Sequence, residues 1–221
     1  MKRLRELKET KMFIGYYKLS VFITYLGVVS GVLGIIYGIN HMTTQALICL
    51  MFSGVCDAFD GKVARACKRD KEEKEFGIQI DSLADTISFV ILPVIILYGM
   101  GLTKWFNIII YVFYSLAGII RLAYFNVKAN ESKEEKMKYY SGLPVTSSAI
   151  ILPIFYIAKY FMFLPQFHVL YTMVLAFTGL LFILNFKLRK PESFWSYIFA
   201  VGALVLGYIL LKFGFRLWKY I

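Results

Sequence analysis

Histidine and cysteine are scarce in this chain, which has two histidines and three cysteines among 221 residues. Neither His41 nor His168 has a second ligand at metal-binding spacing, and the same holds for Cys49, Cys56 and Cys67. The sequence therefore argues against a site built from the nitrogen and sulfur ligands that softer metals prefer. An odd number of cysteines near a single apolar stretch also argues against a disulfide framework.

Internal repeats, low-complexity tracts and long linkers are also missing from the chain, which argues against a second folded domain. The N-terminal stretch MKRLRELKETKMFIGYYK is charged over too great a length for a signal peptide. No small-residue cleavage site follows the first apolar run. We therefore expect no cleaved leader.

Apolar residues, by contrast, make up 59% of the chain, and the mean hydropathy is +0.64. These values are typical of a membrane protein rather than a soluble domain. A spanning helix needs about 20 mostly apolar residues. Seven segments qualify, at residues 19–39, 43–63, 77–100, 105–127, 143–163, 168–186 and 194–214.

The predicted fold is an all-α, polytopic transmembrane helix bundle with six core spans and a weaker seventh. Residues 1–18 are expected to form a cytoplasmic juxtamembrane segment, in which residues 2–14 form either an amphipathic helix that rests on lipid or a solvated basic tail. The membrane domain itself is predicted over residues 19–190. Residues 191–221 add a C-terminal hydrophobic helix, which either spans the membrane or lies at its interface.

The net charge of +11 would suit nucleic acid in a soluble protein, but here the charges fall in loops between the spans. With a cytoplasmic N-terminus, all but five of the 25 basic residues lie on the cytoplasmic side. The exceptions are Lys104, Lys159, Lys212, Arg216 and Lys219. The charge pattern therefore predicts an integral membrane protein with a cytoplasmic N-terminus, in contact with lipids and not with nucleic acid. The expected location is a bacterial or archaeal cell membrane.

Four aspartates lie inside otherwise apolar helices, as two pairs: Asp57 with Asp60, and Asp81 with Asp85. A charged side chain at membrane depth costs about 3 kcal/mol or more, so four carboxylates this close together indicate a positive ligand. Residues three or four apart share a helix face, and only a short loop joins the two spans, so the pairs are expected to converge. Oxygen ligands of this kind suit Mg²⁺ or Mn²⁺.

Two other interpretations of the aspartates are open at this stage. Interhelical salt bridges to Lys62, Arg65 and Arg121 would neutralise the carboxylates. Alternatively, the carboxylates could line the pathway of a divalent-cation transporter. A transporter needs polar residues distributed through the membrane, whereas these four fall at one level near one face.

Small residues and an arginine accompany the carboxylates. Gly61, Ala64 and Gly77 remove side-chain bulk close to them, and Arg65 lies at the same end of the helices. A guanidinium can bind a phosphate through two parallel hydrogen bonds. Metal-holding acids with an arginine beside them indicate a pyrophosphate bound at the membrane surface.

The motif Asp-x-x-Asp-Gly-x-x-Ala-Arg, followed by Gly-x-x-x-Asp-x-x-x-Asp, resembles the signature of the CDP-alcohol phosphatidyltransferases. The chain carries this motif at Asp57, Asp60, Gly61, Ala64, Arg65, Gly77, Asp81 and Asp85. The resemblance implies an integral membrane enzyme, expected to be a homodimer. Such an enzyme transfers a phosphatidyl group from a CDP-linked lipid to an alcohol and releases CMP.

The resemblance also implies roles for individual residues. The four aspartates would hold two divalent ions, Mg²⁺ or Mn²⁺, and Asp85 would also be the general base that takes a proton from the alcohol. Gly61 and Arg65 match positions that contact the CDP-lipid. Thr24 fits the family's pattern in the first span and is expected to contact the same substrate.

Three further segments are similar to the phosphatidylserine synthase branch: DSLAD at 81–85, RLAYFN at 121–126 and GLP at 142–144. They predict CDP-diacylglycerol and L-serine as the substrates. Arg121 is the basic residue inside its span, so we expect it to bind the serine carboxylate or a lipid phosphate, with Asn126 beside it. Glycerol 3-phosphate, inositol phosphate or an amino alcohol are the alternative acceptors.

Overall fold

A computed structural model describes residues 15–17, 19–67, 69–131, 139–189, 201–203 and 205–212. The amphipathic helix predicted at residues 2–14 lies outside the described residues. The seventh predicted span is described at residues 201–203 and 205–212, which are helical.

Seven α-helices account for most of residues 19–183. They are α1 (Leu19–Ile39), α2 (Thr43–Ala66), α3 (Lys71–Asp85), α4 (Leu92–Gly99), α5 (Trp105–Glu131), α6 (Ser148–Tyr156) and α7 (Leu164–Ile183). A π-helical turn at Thr86–Ile91 joins α3 to α4, so that Lys71–Gly99 is one continuous helix. The 3₁₀ turns Val145–Ser147 and Ile157–Tyr160 flank α6.

The predicted helical bundle is confirmed, with one small addition. Strand β1 (Tyr139–Ser141) pairs antiparallel with strand β2 (Lys187–Arg189), and Tyr140 lies opposite Leu188. This ribbon departs from the all-helical prediction. A pair of three-residue strands is too short to leave an alternating pattern that can be read from sequence.

Among the described residues, four helical stretches are long and apolar enough to cross a membrane, namely Val21–Ile39, Lys71–Gly99, Trp105–Lys128 and Leu164–Ile183. Helix α2 has 24 residues, but the charged residues near its end lower its mean hydropathy. The predicted span at 143–163 corresponds to the shorter apolar helix Val145–Tyr160.

Large apolar side chains project outward from these helices. Phe22 on α1, Ile120 on α5 and Phe177 on α7 are 54%, 59% and 60% exposed. A soluble protein of this size rarely exposes contiguous apolar surface on this scale. The outer faces therefore fit contact with lipid, as expected for an integral membrane protein.

Helix α1 packs closely against both α2 and the Lys71–Gly99 helix, as its row of glycines predicts. A methyl group added at Gly34 would lie 2.7 Å from the Leu92 Cδ2 atom and 3.0 Å from the Cys49 Cβ atom. Small residues of this kind let helices approach closely in lipid, where packing drives their association. This packing fixes α1 beside the two helices that carry the aspartates.

The charged stretch 66–75, predicted as a loop, is partly helical. Helix α3 already begins at Lys71, and the Asp70 backbone N–H donates a hydrogen bond to Glu73 Oε2 at 3.1 Å. Acidic residues favour the first turn of a helix because they face its unpaired N–H groups and positive dipole end. The connection from α2 to α3 is therefore only residues 67–70, and this short loop holds the adjoining ends of the two helices together.

Candidate active site

All four predicted aspartates line one cleft between α1, α2 and α3. The cleft encloses about 210 Å³, including its open mouth, and Thr24 of α1 also lines it. One oxygen from each of Asp57, Asp81 and Asp85 lies within 4.8 Å of the other two. The convergence predicted from the helical spacing is therefore present for these three carboxylates.

The fourth carboxylate, Asp60, lies beside this group of three. Its Oδ2 atom accepts a hydrogen bond from the Thr24 hydroxyl at 3.0 Å, and the side chain is only 7% exposed. Asp81 lines the same cleft. Thr24 thus contacts the site directly, by orienting an aspartate.

The described basic side chains do not neutralise these carboxylates. No ion pair joins any of the four to a basic side chain that the structure describes, and the side chain of Arg65 is not among those described. Arg121 donates instead to the Phe182 carbonyl oxygen at 3.2 Å and to the Gly142 carbonyl oxygen at 3.3 Å. Its guanidinium also lies over the Phe125 ring, 4.5 Å from the centroid. The salt-bridge interpretation is therefore not supported by these side chains.

The donor set fits a hard divalent cation. Four carboxylates gathered in one cleft, of which Asp60 is buried and the other three are half-buried, repel one another, so a bound cation would relieve this cost. Carboxylate oxygens are the ligands that Mg²⁺ and Mn²⁺ prefer. Asp57, Asp81 and Asp85 are placed to hold such an ion, with Asp60 adjoining them.

The remaining predicted site residues differ in how they relate to the cleft. Gly61 directly follows Asp60 in α2, and Arg65 lies one turn further along the same helix. Asn126 on α5 accepts a hydrogen bond from Ser82 Oγ at 2.8 Å, which places its side chain next to the helix that carries Asp81. Arg121, by contrast, is not among the residues that line the cleft.

Arg69 was counted in the sequence analysis only as a charge that sets orientation, yet it lies close to the acidic helix. Its Nη1 atom would lie 3.1 Å from a Cβ atom added at Gly77, one turn before Asp81. Its buried Nε atom has no hydrogen-bond partner among the described residues. A glycine at position 77 therefore leaves room for a guanidinium beside the aspartates. Arg69 lies in the gap of the motif between Arg65 and Gly77, where no specified position marks it, so the sequence gave no signal of this contact.

Residues 17–184 match the family described as CDP-alcohol phosphatidyltransferase, and the matched range contains all four aspartates. The chain belongs to the CDP-alcohol phosphatidyltransferase family. The matched range also contains the whole motif read from the sequence, from Asp57 to Asp85, and every residue that lines the cleft.

Several relatives in this family carry serine in their names. A CDP-diacylglycerol–serine O-phosphatidyltransferase of Saccharomyces cerevisiae is 32% identical over 146 residues, which are 64% of this chain and 52% of the relative. The archaetidylserine synthase of Methanothermobacter thermautotrophicus is 30% identical over 152 residues, covering 68% of this chain and 63% of the relative. A CDP-diacylglycerol–serine O-phosphatidyltransferase of Methanocaldococcus jannaschii is 29% identical over 185 residues, covering 83% and 80%. The chain thus spans between half and two-thirds of the length of the first two relatives.

The carboxylate cluster leads to a prediction about metal binding. Changing Asp57, Asp81 or Asp85 to asparagine should weaken Mn²⁺ binding by at least roughly tenfold, because even the outer-shell partners of metal ligands contribute that much. Titration of the purified protein with Mn²⁺, followed by electron paramagnetic resonance of the free ion, measures this. Glu75→Gln is the control. Glu75 is an exposed carboxylate on α3, the helix that carries Asp81 and Asp85, and it pairs with Lys71. Wild-type affinity in all three aspartate variants would contradict the assignment.

Proposed function

We propose that the protein is a CDP-diacylglycerol–serine O-phosphatidyltransferase. It transfers a phosphatidyl group from CDP-diacylglycerol to L-serine and releases CMP. The observation that carries the proposal is that the carboxylates of Asp57, Asp81 and Asp85 meet in one cleft, in a chain that belongs to this family. The names of the three relatives, all of which specify serine, support the choice of acceptor.

The proposed cofactors are two divalent ions, Mg²⁺ or Mn²⁺, held by Asp57, Asp60, Asp81 and Asp85. When bound, such ions neutralise the charge that grows on a pyrophosphate and so favour departure of CMP. The hydrogen bond from Thr24 keeps Asp60 directed into the cleft for this purpose. Gly61 leaves space beside it, and Arg65 and Thr24 are proposed to contact the CDP-lipid.

In the proposed reaction the hydroxyl oxygen of serine attacks the phosphorus on the lipid side of the pyrophosphate. A new phosphorus–oxygen bond forms as the bond to the CMP oxygen breaks. Asp85 accepts the proton of the hydroxyl group. A carboxylate is a weak base, so this role depends on its position next to the attacking oxygen. The apolar helices around the cleft limit the access of water, which would otherwise compete with serine.

Arg121 and Asn126 are the proposed contacts for the acceptor. Asn126 is supported by its hydrogen bond with Ser82, which lies next to Asp81. Arg121 lies on the same helix, about 7–8 Å from Asn126 along its axis at 1.5 Å per residue. Its guanidinium brings a buried positive charge to this end of the bundle, where a serine carboxylate needs one.

The proposed location is a bacterial or archaeal cell membrane, with the cleft on the cytoplasmic side. The support is the bias of basic residues toward the loops at that end of the helices. Serine and CMP are both water-soluble, so a cleft at the cytoplasmic surface gives them access. A homodimer is proposed from the family resemblance.

The direct test is an assay of the purified protein with CDP-diacylglycerol, Mn²⁺ or Mg²⁺, and labelled L-serine. We expect CMP release that depends on serine and a labelled lipid that mass spectrometry identifies as phosphatidylserine. A parallel panel contains glycerol 3-phosphate, inositol phosphate and ethanolamine. Faster CMP release with one of these would reassign the acceptor, and metal flux into vesicles without CMP release would favour a transporter.

Asp85→Asn should reduce turnover by about 10²–10⁴-fold, the usual contribution of a general base. Because asparagine is nearly the same size as aspartate, most binding of CDP-diacylglycerol should remain. The rate of CMP release measures turnover, and equilibrium binding of a labelled CDP-lipid measures the affinity for CDP-diacylglycerol. Turnover close to the wild-type value would remove Asp85 as the base.

Arg121→Ala should raise the KM for serine by about tenfold or more, as expected for loss of a charge-assisted hydrogen bond. Steady-state kinetics with each substrate varied in turn would measure the KM values for serine and for CDP-diacylglycerol. Lys128→Ala is the control, because it removes a positive charge from the same helix. If the KM values for serine and CDP-diacylglycerol both stay at their wild-type levels, Arg121 does not bind either substrate.

A further inference from the structure

The helix that carries Asp81 and Asp85 changes its geometry immediately after Asp85. In the π-helical turn Thr86–Ile91, the hydrogen bonds reach back five residues, so that the Leu92 N–H bonds to the Ile87 carbonyl oxygen. Such a turn contains one residue more than the α-helical equivalent, and π turns are frequent at functional sites.

Pro93 accounts for the irregular turn. In a continuous α-helix its N–H would bond to the carbonyl oxygen of Phe89, but proline has no N–H and its ring would press against that carbonyl. Phe89 is 1% exposed, so water does not reach its carbonyl oxygen easily. A buried carbonyl without a donor is costly, and another donor has to be supplied.

Two side chains from other helices supply that donor. The Tyr114 hydroxyl on α5 donates to the Phe89 carbonyl oxygen at 2.8 Å, and Ser148 Oγ at the start of α6 lies 3.5 Å from the same oxygen. Tyr114 and Ser148 are both completely buried. Phe89 itself lines the cleft, so this contact lies directly behind the aspartates.

The orientation of Asp85 depends on this turn because the helix beyond it is held in place. Leu92, Ile96 and Leu97 of α4 are completely buried in the core. If the turn closed into a regular α-helix while α4 stayed fixed, the residues before it would rotate by about 100°, which is the angle per residue. The Asp85 carboxylate would then turn away from Asp57.

We propose that Tyr114, assisted by Ser148, is a positioning residue for Asp85. Its hydrogen bond to the Phe89 carbonyl holds the π-helical turn, and the turn directs Asp85 toward Asp57 and Asp81. This proposal rests on the proposed function, because it assigns Tyr114 a part in the same site. Tyr114 is not among the residues that line the cleft.

The chain offers a matched control for the test. Tyr111 lies on the same helix, is 5% exposed, and donates from its hydroxyl to the Leu102 carbonyl oxygen at 2.8 Å. Leu102 follows α4, at the end of the bundle opposite the cleft. Tyr111→Phe and Tyr114→Phe therefore remove equivalent buried hydrogen bonds, and only Tyr114→Phe affects the turn after Asp85.

Both variants should lower the thermal unfolding temperature of the purified protein to a similar extent. Tyr114→Phe alone should lower kcat by about tenfold while the KM values stay unchanged, because small displacements of catalytic groups cost this much or more. It alone should also weaken Mn²⁺ binding, measured by electron paramagnetic resonance without substrates. Ser148→Ala should act in the same direction with a smaller effect, and it provides the test if Tyr114→Phe does not fold.

Equal effects of Tyr111→Phe and Tyr114→Phe on kcat and Mn²⁺ affinity would show that Tyr114 contributes only to stability, and would overturn the proposal. A Tyr114→Phe enzyme with wild-type kcat and Mn²⁺ affinity would do the same. The metal titration does not depend on the acceptor. If the wild-type protein binds Mn²⁺ but releases no CMP with serine, the proposed function fails while the comparison of the two tyrosines still applies.

Discussion

Repulsion between carboxylates gathered in one cleft is the constraint on which the rest of this structure depends. Asp57, Asp81 and Asp85 bring their oxygens within 4.8 Å of one another, and Asp60 adjoins them. Coulomb repulsion between like charges grows as the local dielectric constant falls. The proposed Mg²⁺ or Mn²⁺ ions would relieve this repulsion, and this links the fold to the proposed pyrophosphate substrate.

The surrounding helices hold the carboxylates together against this repulsion. The short connection at residues 67–70 keeps the adjoining ends of α2 and α3 together. The glycines of α1 let that helix pack closely on both, and Thr24 then donates its hydrogen bond to Asp60. Behind the site, the contact between Tyr114 and Phe89 holds the turn that follows Asp85. A site built on packed helices in this way loses little free energy to reorganisation when substrate and metal bind.

Much of the site could be predicted because helical spacing is a local property. Residues three or four apart share a face whatever surrounds them, so the pairing of Asp57 with Asp60 and of Asp81 with Asp85 follows from sequence alone. The contacts of Arg121 could not be predicted in this way. Its partners, the carbonyl groups of Phe182 and Gly142, are 61 and 21 residues away, and no sequence pattern identifies a carbonyl as a partner.

The sequence by itself determined the membrane-protein class, the helical architecture and the identity of the acidic motif, because hydropathy and helical periodicity are read within a few turns of chain. The tertiary structure alone decided which side chains meet across helices. It placed the Arg69 guanidinium beside Gly77, and it supplied the Tyr114 hydroxyl to the carbonyl that Pro93 leaves without a donor. Such contacts depend on how separate helices pack, and packing is a property of the whole bundle rather than of any one segment.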